Sequence, residues 1–221
     1  MHKSTKHEMN SLQQTAIPVS HRAFLESFAD PRGKIFLVHG DPAIYKMALL
    51  VAVQALVKGE QVPVVDGCNR FDLMFITKLL QRKQVSVTAM LERGFISRGF
   101  TCHQLEQAVT KKLPAFLETS GSTSVVILGL LDTFYDDQAK AREVKQILER
   151  VLSMLDELRA SGISILIANT QYKVLTEEKN SLFPTLRSKV DQSFLVRMNE
   201  NDVPKFYLDN RINSVKSLSK R

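Results

Sequence analysis

Cysteine is nearly absent from this chain. Cys68 and Cys102 are the only two in 221 residues, far apart and with no C-x-x-C or Cys/His ligand spacing. A disulfide framework and a cysteine-built metal centre are therefore not expected, and two free thiols point to a reducing, intracellular setting, cytoplasmic or nuclear. Long apolar runs are missing too: none approaches the roughly 20 residues that span a bilayer, so no membrane association is expected. The opening MHKSTKHEMNSLQQ carries charge but no apolar stretch, which argues against a secretory signal. There is no internal repeat, so a solenoid is not expected. The last eleven residues, RINSVKSLSKR, contain no acid at all.

What is present is ordinary globular material, 44% hydrophobic and 24% charged, in a chain long enough for one large core. The formal charge is +7, and Arg211, Lys216, Lys220 and Arg221 place four cations in the acid-free tail. Attraction to phosphate backbones and simple solvation of a loose terminus both account for such a tail. The expected organisation is a flexible segment over 1–18, a core domain over 19–210 and a basic tail over 211–221.

Within the core, strands and helices alternate. A short helix is expected over 20–29, a strand over 34–39, a helix over 46–58 and a strand over 61–66. A helix over 71–83 follows, with Phe71, Met74, Phe75, Leu79 and Leu80 at helical spacing. A short strand over 94–99 precedes a helix opened by Thr101, with Gln104 three residues on as a capping-box signature. Pro114 is expected to kink that helix. Two apolar runs, 124–130 and 163–169, read as buried strands around a long helix over 137–160, and strands flanking Asn199 to Asp202 form a closing hairpin. Uniformly apolar strands between amphipathic helices predict an α/β fold, a mostly parallel central sheet covered on both faces.

Residues 36–47, FLVHGDPAIYKM, have the frame of a phosphate-binding loop: an apolar run, Gly40, Asp41, and Lys46 at a helix start. A working loop of the form G-x-x-x-x-G-K-[ST] needs a second glycine to close its N–H groups on phosphate and a hydroxyl for Mg²⁺. Tyr45 and Met47 stand in those places. Lys46 has two readings of equal weight, a residual anion contact and a solvated lysine on the first helical turn. In such sheets ligands bind at the carboxyl ends of strands, which directs attention to VVDGCNRFD (64–72), ISRGFTCHQL (96–105), VVILGLLDTFYDD (125–137), ILIANTQ (165–171) and the closing VDQSFLVRMNENDVPKFYLDNR (190–211).

In order and spacing these blocks resemble the core ATPase domain of the RecA/RadA recombinase superfamily over residues 20–211. The block with Arg98, Phe100, Thr101, His103 and Gln104 is most similar to the recombinase paralogues. The resemblance implies a RecA-like phosphate-loop fold with a C-terminal β-hairpin. It also locates the departures. Cys68 stands where the family has a water-activating carboxylate, with Asp66 and Asp72 nearby. Gly129 stands where a Mg²⁺-associated aspartate ends the fourth strand, with Asp132 three residues on. Asn169 and Gln171, separated by Thr170, match the family's phosphate-sensing position. Phosphoryl transfer needs metal, water activation and cradle together, so useful hydrolysis is not expected and no cofactor is, beyond weak ATP binding that ignores Mg²⁺.

The resemblance places Phe134-Tyr135 where recombinases carry a first DNA-facing loop, though the acids around the pair favour a protein contact. It places Lys173, Lys179, Arg187 and Lys189 in the second DNA loop, and with the tail cations these are the expected DNA-binding residues. His39 and His103 are expected to be structural. The implied function is that of a non-catalytic recombinase paralogue acting in recombination and repair through DNA and a recombinase-like partner, with Tyr45 as an interface aromatic. The alternative is a slow DNA-dependent ATPase using Asp66 or Asp132. A small-nucleotide kinase is disfavoured, since no arginine-rich lid is visible.

Overall fold

The computed structural model describes residues 16–28, 32–88, 95–170 and 177–209. Its centre is one eight-stranded sheet in the order β1-β8-β7-β2-β6-β5-β3-β4. The strands are β1 (Ala16–Val19), β2 (Ile35–Gly40), β3 (Val64–Asp66), β4 (Ile96–Arg98), β5 (Ser124–Leu128), β6 (Ser164–Thr170), β7 (Gln192–Met198) and β8 (Pro204–Asp209). From β7 to β4 all pairings are parallel, while β8 runs antiparallel to both β7 and β1. The mostly parallel sheet and the closing hairpin expected from the sequence are both present.

The strands are apolar on both sides because both sides are covered. Alternate residues divide between two cores. Ile35, Leu37, Val125, Ile127, Ile165 and Ile167 face one core, with α4 (Cys102–Gln107), α5 (Leu113–Ser120), α6 (Ala141–Ala160) and α7 (Leu182–Ser188). Phe36, Val38, Val126, Leu128, Leu166 and Ala168 face the other, with α1 (His21–Glu26), α2 (Ala43–Val57) and α3 (Leu73–Arg82). No described helix is long and apolar enough to cross a membrane.

Several boundaries differ from expectation for identifiable reasons. Ala16–Val19, expected to be loose, pairs with β8 and covers what would otherwise be an open sheet edge. The third strand begins at Val64 rather than 61, since Pro63 has no N–H to give a ladder. Pro114 sits at the start of α5, and the strain is absorbed just before it: Ala108–Lys112 forms a π turn, with the Leu113 N–H reaching back to the Ala108 carbonyl. Thr101 does cap α4, its hydroxyl accepting from the Gln104 N–H at 3.2 Å while the Gln104 side chain accepts from the Phe100 N–H at 2.8 Å. The largest shift is in α2, which starts at Ala43, three residues ahead of the expected 46.

Candidate functional site

That early start reshapes the turn after β2. Only Asp41 and Pro42 separate the end of β2 from the first residue of α2. The Asp41 carboxylate accepts from the Ala43 N–H at 2.9 Å, the Asp41 carbonyl from Ile44 at 3.0 Å and the Pro42 carbonyl from Tyr45 at 3.3 Å. The amides that would cradle a phosphate are thus occupied within the turn. Gly40 has φ +119°, and a Cβ there would lie 2.1 Å from the Val196 carbonyl oxygen. The turn is clamped against β7, and only glycine fits. Lys46 is exposed, its ammonium 5.9 Å from the centre of the Phe75 ring, and Met47 packs into the second core.

Tyr45 fills the space behind this turn. It is 3% exposed, and its hydroxyl lies 3.1 Å from the Thr170 Oγ1 and donates to the Asp132 Oδ2 at 3.4 Å. The Thr170 N–H points to the same oxygen at 3.4 Å. The interface role expected of Tyr45 is therefore corrected: the ring is inside the chain and is unavailable to a partner. Burial first, and the Asp132 charge second, raise the pKa of this phenol; burial, Asp132 and Asp66 likewise push up the Cys68 thiol. Both groups stay neutral near pH 7. Two neutral donors beside two carboxylates make a self-contained cluster with no surplus positive charge for a phosphate.

Gly129 and Cys68 belong to the same change. Gly129 has φ +62°, and a Cβ on it would fall 2.3 Å from the Cys68 Cβ and 2.9 Å from the Asp132 Cγ. An aspartate at 129 has no room while Cys68 and Asp132 stand where they do.

The remaining polar candidates hold the frame. Asp66 is 1% exposed, and its two oxygens accept from the backbone N–H groups of Cys68, Arg70 and Phe71 at 3.0–3.2 Å, with Arg98 at 3.6 Å. That geometry folds the loop after β3 and leaves no carboxylate edge for water activation. Asp72 caps α3, accepting from the Phe75 N–H at 2.9 Å. Asn169 accepts from the Leu131 N–H and donates to the Thr170 carbonyl, both at 2.7 Å, so it fixes the turn after β5. Gln171 and Lys173 lie outside the described residues, as do Arg211, Lys216, Lys220 and Arg221.

Two of the expected DNA contacts turn inward. Lys179 is buried and donates to the Asp136 carbonyl, and Arg187 pairs with the buried Asp209. Lys189 is exposed. Phe134 is fully buried in the first core and Tyr135 packs against it, so the pair is not an exposed contact surface. His39 is buried beside Asp209, at 3.8 Å, and against Phe183; burial lowers its pKa, keeping it neutral. His103 is exposed and faces Glu143 at 3.4 Å.

One feature has a partial signal in the sequence. Met74, at helical spacing with buried neighbours, is 67% exposed, and Phe100 is 68% exposed. Leu73 and Ile96 are exposed as well. All four sit on or beside the paired β3 and β4, the latter at the sheet edge. An aromatic directly between Gly99 and a helix cap at Thr101 is a position with no helix face to bury it, and that local pattern was readable. No family model matches the chain, and no curated protein sequence matches it.

Proposed function

We propose that this protein is a non-catalytic relative of the RecA/RadA recombinases that acts as a binding subunit in DNA recombination and repair. The observation that carries the proposal is Tyr45: a nucleotide-type crevice at the carboxyl ends of β2 and β6, filled from within by a hydrogen-bonded side chain, in a sheet whose two cores are intact. A fold retained without its cradle serves as a shaped surface. The partner on this reading is a recombinase-like subunit that keeps a complete phosphate loop. The corner formed by Met74, Leu73, Ile96 and Phe100 supports a protein contact, being a cluster of exposed large apolar side chains on one sheet edge. The DNA contact falls to Lys189 and the basic tail, since Lys179 and Arg187 are engaged internally.

The slow-ATPase alternative is less well supported, because Asp66 is tied to three backbone amides and Asp132 receives the Tyr45 hydroxyl. The purified protein is expected to show no ATP turnover with or without DNA. Turnover that survives purification and disappears in Lys46→Ala overturns the proposal. Co-purification from native cells of a protein carrying an intact G-x-x-x-x-G-K-[ST] loop, lost in Phe100→Asp, supports it; a lone monomer across a range of salt, with DNA present, counts against it.

A further inference from the structure

At the opposite end of the sheet from the Tyr45 cluster lies a cavity of about 300 Å³ between α1, the last turns of α2 and the first residues of β2, β5 and β6. Ligand pockets run from roughly 300 to 1,000 Å³, so this one suits a small molecule. The cavity exists because of residue size. Where α2 crosses the strand starts it presents Ala52 and Ala55, and the strands answer with Ser124 and Ser164, direct register partners on the same side of the sheet. Larger apolar residues at these four places would close it.

Its construction is graded. The floor is buried and apolar, with Phe36, Val126 and Leu166. The rim is exposed and polar, with Lys58 and Arg32 outnumbering Glu60. The Ser124 Oγ is buried and has no protein hydrogen-bond partner, and burying a hydroxyl without one costs on the order of 1–3 kcal/mol. A hydroxyl at the wall of an apolar pocket with a net cationic mouth fits one ligand chemistry: an apolar body ending in a single negative oxygen group.

We propose that this cavity is a binding site for a small amphiphilic monocarboxylate, its alkyl or aryl body against Phe36, Val126 and Leu166. The carboxylate takes the Ser124 hydroxyl hydrogen and faces Lys58. The site is independent of the crevice at the carboxyl ends of the strands and does not depend on the recombinase-like reading.

Octanoate serves as the probe, titrated into the full-length protein while amide and methyl resonances are followed. Saturable shifts centred on Ala52, Ala55, Val126 and Ser164 are expected. Ala55→Leu fills the cavity and should abolish them without lowering the melting temperature, which shows that the fold is intact. Lys58→Glu lies on the exposed rim and should weaken octanoate several-fold, the scale of a reversed exposed charge, while leaving octanol binding nearly unchanged. Shifts that never saturate, shifts centred on Met74 and Phe100 instead, or octanoate binding unaltered by Ala55→Leu would each overturn the proposal.

Discussion

Removing one oxygen atom from Tyr45 tests whether the crevice is closed by design of the hydrogen bonds or merely crowded. In Tyr45→Phe the ring still fills the space, but the Thr170 hydroxyl loses its 3.1 Å contact and the Asp132 carboxylate loses a donor at 3.4 Å. A typical internal hydrogen bond contributes about 0.5–1.5 kcal/mol net, and a buried group left without its partner costs roughly 1–3 kcal/mol. The Asp132 contact is long, so the lower half of that span applies and a loss of about 1–2 kcal/mol is expected. For a domain of this length each kcal/mol moves the melting temperature by about 2–4 °C. Tyr45→Ala removes the ring as well and should cost roughly 3–5 kcal/mol. Urea unfolding followed by circular dichroism, with an unchanged m value, measures both. A double-mutant cycle with Thr170→Val isolates the hydroxyl pair, since contacting residues show coupling where distant ones do not. The second half of the test is binding. Even with the ring gone, the Ala43, Ile44 and Tyr45 amides remain bonded within the turn, so Tyr45→Ala should gain no Mg²⁺-dependent affinity for ATP. A Tyr45→Phe protein as stable as the parent, or a Tyr45→Ala protein that binds Mg-ATP at micromolar concentration, would refute this account of the site.

Ile165 is fully buried between β2 and β5, and Ile165→Ala should destabilise by about 2–5 kcal/mol in the same urea assay; a change within error contradicts its central place. Deleting residues 211–221 should weaken DNA binding and flatten its salt dependence, because each phosphate contact contributes about −0.9 to the log–log slope; an unchanged slope removes the tail from the interface. His39 is held neutral in the folded chain, chiefly by burial and against the opposing pull of Asp209, so its folded pKa lies below the ordinary 6.5. Its contribution is therefore complete above pH 6.5 and is lost as the pH falls, while the unfolded chain takes up the proton first. His39→Leu should make the stability profile flatter just below pH 6.5, and a profile as steep as the parent's assigns that acid sensitivity elsewhere.

The layered architecture was legible because it is written in local pattern. Runs such as Val125–Leu128 and Ile165–Ala168 are apolar at every position, and only a sheet covered on both faces accounts for that. The start of α2 was also legible, in Asp41-Pro42-Ala43: a capping carboxylate followed by proline marks a helix entry, and the pull of the phosphate-loop frame obscured it. The filled crevice was not legible. Tyr45 meets Asp132 across 87 positions of chain and Thr170 across 125, and no spacing rule encodes such a meeting. The same holds for Lys179 and Arg187, whose partners Asp136 and Asp209 are supplied by the tertiary fold. Charge could be counted from the sequence, but whether a cation is free or engaged could not. Gly129 looked like a lost aspartate, whereas its left-handed backbone and its crowding by Cys68 make it one half of a matched pair.

The pairing of β1 with β8 gives the described chain a nearly closed path, with Ala16 opposite Asp209 on neighbouring strands. Adjacent strands lie about 4.8 Å apart, so a short linker suffices to join these two ends. New termini can then be opened at the exposed Asn199–Asp202 turn, and the order of the sheet is unchanged by the permutation. Synthesis from the natural start imposes a different constraint. The first strand to leave the ribosome has no ladder to join until the last one follows, some 190 residues later, and contacts so remote in sequence form slowly. Until then the outer edge of β7 stays open. The permuted chain makes β8 and β1 in succession, so its edge closes as a local hairpin, and it should refold faster than the natural order at similar final stability.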